Sequence, residues 1–167
     1  MNGIFEKLLH SKITSFFKDS NVIASNQFGF QKGHSTAHAI TTLNEKIAMS
    51  IEKQKVSTLL FIDLKSAFDT IDHNILIKNL DHYGIRGQLL LVLSSYLSDR
   101  KQYVKGNLFD SVVLNVILGV PQGSTLGPLL FIIYINDIVQ CSKLFAVLFA
   151  DDAAFVASGN TLKPESL

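Results

Sequence analysis

Residues 148–156, LFADDAAFV, set two adjacent aspartates, Asp151 and Asp152, inside an apolar run. Burying one carboxylate without a partner is costly, and a second beside it adds like-charge repulsion. The flanks, 145–150 and 153–157, are short apolar segments that predict a strand pair with the acids at its turn. Two-residue hairpin turns favour Asn-Gly or Asp-Gly, and Asp-Asp between alanines lacks the glycine. From these residues alone, an ordinary turn and a chemical site both stand.

A third acid completes the pattern. Residues 56–62 form a short apolar, β-branched run that predicts a buried strand, and Asp63 ends it. If the two strand segments are neighbours in one sheet, three acids from distant parts of the chain converge at one edge. Such a cluster repels itself until a cation neutralises it, and all-oxygen ligation open to water suits Mg²⁺ or Mn²⁺. Two such ions about 3.5–4 Å apart are the machinery of in-line phosphoryl or nucleotidyl transfer. Softer metals find little here. Cys141 is the only cysteine, and the one close histidine pair, His34 and His38, is expected on a helix surface or in a packing role.

The remaining chain alternates helices and strands irregularly. Apolar residues at helical spacing predict helices over 3–18, from Ala37 to Ile51, over 71–83 and over 88–97. Ser35 or Thr36 is placed to cap the second of these, and Gly84 to end the third. Two strands, 101–105 and 111–117, are expected across Gly106-Asn107, followed by a glycine-punctuated loop over 119–127. Pro128 then opens a helix over 129–139. The fold class that follows is α+β, a mainly antiparallel sheet flanked by helices.

Composition sets outer limits. The chain has 167 residues, 47% of them hydrophobic, which suits one domain with a real core. Its net charge of +1 is lower than a stand-alone nucleic-acid module usually carries. A lone cysteine permits no internal disulfide and fits a reducing compartment. The N-terminal stretch reads as an amphipathic helix, not a signal peptide, and no apolar run approaches the roughly 18–20 residues that span a bilayer. A soluble protein with no membrane partner is expected.

Two further stretches carry polar residues with possible chemistry. In FIDLKSAFDTIDH (61–73), Phe68 follows Asp63 across a strand-to-helix transition, where its ring either packs in the core or lies beside a substrate sugar. Asp69 and Asp72 are read as capping acids of the following helix. In GVPQGSTLGPLL (119–130), Pro121 stiffens the entry, Gln122 offers a donor and an acceptor, and Gly123 loosens the backbone. This loop matches neither the dinucleotide nor the P-loop spacing.

Taken in order, FIDLKSAFDTIDH, GVPQGSTLGPLLFIIYINDI and LFADDAAF closely resemble three core motifs of reverse transcriptases, most of all those of jockey-like non-LTR retrotransposons. NQFGFQKGHSTAHAI (26–40) resembles the fingers segment just upstream. The resemblance implies a polymerase palm over 56–158, a partial fingers segment over 1–55 and a frayed tail over 159–167. It implies that Asp63, Asp151 and Asp152 bind Mg²⁺ (or Mn²⁺), helped by the Leu64 carbonyl. Phe68 would exclude a ribose 2′-hydroxyl, and Pro121, Gln122 and Gly123 would line the nucleotide pocket. Gly29, Phe30, Lys32 and Gly33 would lie near the template.

The implied activity is RNA-directed DNA synthesis, adding dNTPs to a DNA primer on an RNA template. A nuclear or cytoplasmic ribonucleoprotein is the implied setting. The pattern departs from the family at Gln31, where Arg is usual, in the order Lys65-Ser66, and at Ala153. The chain opens inside the fingers segments and stops just after the acid pair, so no thumb is expected within it. Weak or absent activity is expected of the isolated chain. The rival reading is a degenerate, non-enzymatic remnant that at most binds nucleic acid.

Overall fold

The strand that carries Asp63 pairs with the acid hairpin, which is the condition for the three acids to converge. In a computed structural model, which describes residues 3–106 and 109–160, β1 (Val56–Asp63), β4 (Phe145–Phe149) and β5 (Asp152–Gly159) form a three-stranded antiparallel sheet in the order β1-β5-β4. Two short strands, β2 (Arg100–Gln102) and β3 (Leu114–Val116), pair separately as an antiparallel ribbon. The helices are α1 (Gly3–Asp19), α2 (Thr36–Glu52), α3 (His73–His82), α4 (Gly87–Leu97) and α5 (Gly127–Tyr134), with a 3-10 helix at Asn136–Gln140.

The chain divides into two compact units, residues 1–16 with 66–134 and residues 17–65 with 135–167. The second unit holds the three-stranded sheet. Alternation along β4 sorts its residues between two faces. Val147 packs with Phe28 and Ala39 of α2, flanked by Leu43, Phe145 and Phe149. Ala146, Leu148, Ala153 and Phe155 form the opposite cluster, against Ile138, Val139 and Leu144. A period of two in sequence thus becomes, at β4, a strand covered on both faces.

In this unit the central strand and the β1 edge differ. The hairpin partner β5 is buried from Ala153 to Val156, whereas β1 is mostly exposed, with Phe61 at 69%. The buried strand expected at 56–62 is therefore an exposed edge strand. An apolar run reports that a strand is stable, not that both its faces are covered.

The helix α2 also presents a different face from the one expected. Ile40 and Ile51 are exposed, while Ala39 and Ser50 are buried. Small residues bring the helix close to the sheet, and the Ser50 hydroxyl lies 2.8 Å from that of Ser158 and donates to Lys46 O at 3.0 Å. Those bonds satisfy a polar group that pattern reading places in solvent.

In the first unit, the fully buried side chains include Ile13, Ile71, Leu76, Leu80, Leu93, Leu126, Leu130 and Ile133. The Asp72 carboxylate caps α3 by accepting from Asn74 N–H at 2.8 Å and Ile75 N–H at 3.1 Å. Gly84, at φ +97°, follows the last turn of that helix, as expected. The helix expected over 129–139 begins two residues earlier and gives way after Tyr134 to the 3-10 turn of the other unit. The β2–β3 ribbon is shorter than the strands expected at 101–105 and 111–117. Asn107 of its anticipated turn, and residues 161–167 of the anticipated frayed tail, lie outside the described residues.

Candidate active site

Register fixes the acids. In the β1–β5 ladder Asp63 stands directly opposite Asp152, and β4 returns to β5 through Ala150 and Asp151. The Leu64 N–H donates to the Asp151 carbonyl at 3.3 Å, tying the end of β1 to the turn. All three acids therefore share one end of one sheet. Asp63 and Asp152 are exposed and Asp151 is half-buried.

Directly opposed like charges weaken a β-ladder. No hydrogen bond or ion pair from another described residue offsets this at any of the three carboxylates. Nor do any three His, Cys, Asp or Glu side chains among the described residues stand together as a metal-binding group. As a donor set, three hard oxygen ligands at a water-accessible edge fit Mg²⁺ or Mn²⁺.

The segment expected near a template divides. Phe30, Lys32 and Gly33 are exposed, and Gly33 adopts φ +85°. Gly29 is buried instead, and a Cβ there would overlap the backbone nitrogen of Ala150. Beside it, Gln27 is buried with its amide oxygen on backbone N–H groups of Gly29 and Ala150. Sequence reading passed over Gln27, because a polar residue in a loop gives no sign of being buried. His34 and His38 are exposed and meet edge to face at 6.3 Å, but only His38 lies on α2, His34 preceding its cap.

The residues expected to face a nucleotide belong to the first unit. Phe68 is half-buried and stacks on Phe131 with centroids 4.5 Å apart, which secures one side of its ring. Its turn is zipped to the glycine-rich loop: Val120 N–H donates to Phe68 O at 2.9 Å, and Gly119 N–H to Ile71 O at 2.8 Å. Asp72 and Leu118 form an antiparallel bridge. Gly119 adopts φ +80°, and a Cβ on it would lie 2.9 Å from the Asp69 backbone, so glycine is required.

Across this zipper, Gln122 Nε2 donates to both carboxylate oxygens of Asp69, at 2.9 and 3.1 Å. Asp69 is thus not the helix cap it was expected to be. It precedes α3, and its carboxylate holds the Gln122 amide. Only an NH₂ group can face a carboxylate, so the amide oxygen of Gln122 is left for another partner. A cavity of about 680 Å³ opens here, with Asp69, Arg100, Gln102, Asn115 and Gln122 on its walls. Pro121 is half-buried, and Gly123, exposed at φ +75°, gives the loop its reversal.

The far end of the same loop is anchored by a buried acid. Glu6 accepts from Leu126 N–H, at the start of α5, and from the Tyr96 hydroxyl, both at 3.0 Å. Burial pushes the Tyr96 phenol above its ordinary value of 10.0; a hydrogen bond with Ser124 opposes this, and Glu6 adds to it.

Comparison with known proteins extends over almost the whole chain. A family model described as reverse transcriptase (RNA-dependent DNA polymerase) matches residues 4–164. The chain is 29% identical to a probable RNA-directed DNA polymerase from transposon BS of Drosophila melanogaster, over 96% of its own length and 18% of the relative's. It is 32% identical to the corresponding X-element protein of the same organism, over 91% and 17%. The jockey RNA-directed DNA polymerase from that fly is 26% identical over 97% and 18%. The chain thus spans about a fifth of the length of these relatives.

Among solved structures, a telomerase from Candida tropicalis in complex with a telomeric RNA fragment matches with a TM-score of 0.67 at 14% identity, over 92% of this chain and 28% of that one. A Candida albicans telomerase with such a fragment matches at 0.63 and 14%, over 93% and 30%. These likenesses bear on the fold, and they agree with a mixed helix and antiparallel-sheet palm.

Proposed function

As a member of the reverse transcriptase (RNA-dependent DNA polymerase) family, this chain, we propose, carries the catalytic carboxylates of an RNA-directed DNA polymerase. One observation carries the reading: Asp63 and Asp152 stand opposite each other in the ladder, with Asp151 adjoining, at a cost that no local bond offsets. A fold gains nothing from that arrangement, whereas a cation-dependent reaction does.

In this reading Asp63, Asp151 and Asp152 hold Mg²⁺, or Mn²⁺ in its place, with the Leu64 carbonyl as a further oxygen. Bound divalent ions ease deprotonation of the primer 3′-hydroxyl and stabilise the charge on departing pyrophosphate. The protein's own part is placement. Its sheet register keeps the acids at one edge, and the Phe131 stack keeps Phe68 in one orientation. Phe68 excludes a ribose 2′-hydroxyl and so selects dNTPs over ribonucleotides. Gln122, its nitrogen held by Asp69, turns an acceptor oxygen toward the nucleotide, flanked by Pro121 and Gly123.

Exposed Phe30, Lys32 and Gly33 meet the RNA template, and Lys32 supplies a point charge for phosphate. A DNA primer and a nuclear or cytoplasmic ribonucleoprotein setting belong to the same proposal. Among the described residues, no helix is long and apolar enough to cross a membrane.

The test is RNA-templated, Mg²⁺-dependent primer extension by a full-length polypeptide carrying this chain. Asp63→Ala abolishes extension if the reading is right, and near-normal extension overturns it. Phe68→Ala raises ribonucleotide incorporation, on the order of 10-fold or more for a lost steric contact. Unchanged sugar selection would make Phe68 a packing residue only.

A further inference from the structure

We infer that Gln27 positions the acid turn, a role that rests on the metal-site reading above. The residue is only 1% exposed, and its Oε1 accepts the Gly29 N–H at 2.8 Å and the Ala150 N–H at 3.2 Å. Both partners are donors, so the oxygen must face them, and the amide orientation follows from chemistry. The backbone around it continues the grip. Phe28 N–H donates to Leu148 O and Leu148 N–H to Asn26 O, each at 2.8 Å, pairing Gln27 with Leu148 in a parallel bridge. Residues 26–29 therefore lie along the end of β4, right up to the turn.

The turn has need of such a grip. Ala150 adopts φ +56°, a left-handed conformation that alanine rarely takes. Its N–H is held by Gln27 from one side. The next residue, Asp151, is held through its carbonyl by Leu64 N–H at 3.3 Å, from the end of β1. Between these two bonds sits the backbone that sets where the Asp151 carboxylate points. A buried N–H left without an acceptor is expensive, so losing Gln27 releases the turn from this conformation.

The two ends of the Gln27 amide are used differently. Its Nε2 has no hydrogen-bond partner among the described residues. Only the acceptor end contributes, so a glutamate of the same length keeps the contacts, whereas an isosteric leucine loses them. Gln27 touches no reacting atom in this account; it acts through Ala150 and Asp151.

The experiment measures amide hydrogen exchange and Mn²⁺ binding on the whole chain, for the unaltered protein, Gln27→Leu, Gln27→Glu and Asp151→Ala. Gln27→Leu is expected to speed exchange at the Ala150 amide about 10-fold or more, and to weaken Mn²⁺ binding about as much, for one lost buried hydrogen bond. Protection at Phe155, within β5, stays unchanged. Gln27→Glu keeps Ala150 protection within about 3-fold of the unaltered protein, since it retains the acceptor, while its buried charge lowers overall stability. Equal protection of Ala150 with and without Gln27 overturns the inference, as do equal losses of that protection in the Leu and Glu variants.

Should Gln27→Leu fail to fold, Gln27→Asn, whose amide is one methylene too short, is read by the same criteria. If Asp151→Ala leaves Mn²⁺ binding unchanged, the metal-site reading falls. Exchange at Ala150 then decides the role of Gln27 alone: faster exchange in the variant sustains it, and no change overturns it.

Discussion

Two turns of this molecule carry acids of the same chemistry in opposite circumstances. At residues 69–72, the Asp72 carboxylate caps a helix and the Asp69 carboxylate holds an amide. At residues 150–152 and their neighbour Asp63, three carboxylates share one sheet edge, and none has a protein partner among the described residues. In the first turn the acids explain the local structure. In the second the structure gives no reason for the acids, and the proposed reaction would supply one. An acid's partner, more than its place in a motif, separates the two roles.

The largest expected contrast is in activity. Asp151→Ala should lower RNA-templated extension by about 10³-fold or more, the scale of several kcal/mol of transition-state stabilisation. Asp72→Ala should leave the rate per folded molecule within about 3-fold, because a cap acts on stability. Comparable losses in single-turnover rates would erase the distinction between the turns.

Stability should contrast in sign. Removing the cap with Asp72→Ala should cost about 1 kcal/mol. Asp63→Asn, in chelator, should instead stabilise by about 0.5 kcal/mol, as it removes a directly opposed like charge. Urea unfolding of both variants measures this, and destabilisation by Asp63→Asn would reveal a structural role for that acid.

The smallest effect concerns the partnered acid Glu6 and its tyrosine. Burial raises the Tyr96 phenol above its ordinary 10.0, so the neutral form is favoured in the folded state. The stability this contributes is fully present below the unfolded value of about 10 and is lost as pH rises through the higher folded value. Tyr96→Phe should flatten that alkaline loss in denaturant unfolding. An unchanged slope would mean that other groups govern it.

Much of this was legible in the sequence, for identifiable reasons. The acid hairpin, the helix that starts after Ser35 and the helix that ends before Gly84 follow from periodicity and from capping residues, whereas the pairing of the hairpin with the strand ending at Asp63 stood only as a condition. What escaped was set by distant partners. The run 56–62 looks buried because it is apolar, but only the sheet order puts β1 at an edge. Ile40 and Ile51 match a helical stripe, yet small Ala39 and hydrogen-bonded Ser50 take the inward face.

Asp69 stands just before a helix, where acids often cap, and only the zipper to the 118–122 loop reveals Gln122 as its partner. Gln27 gave no signal at all, since its acceptor role depends on a residue 123 positions away. The sequence therefore displays the groups proposed for the chemistry more readily than those that hold them.

Thermal unfolding of the unaltered chain and of Asp63→Asn, each in chelator and in Mg²⁺, tests the central claim most directly. If the opposed acids form a cation site, Mg²⁺ raises the melting temperature of the unaltered chain by mass action and leaves Asp63→Asn nearly where it was. An equal shift in both proteins, or none in either, would contradict it.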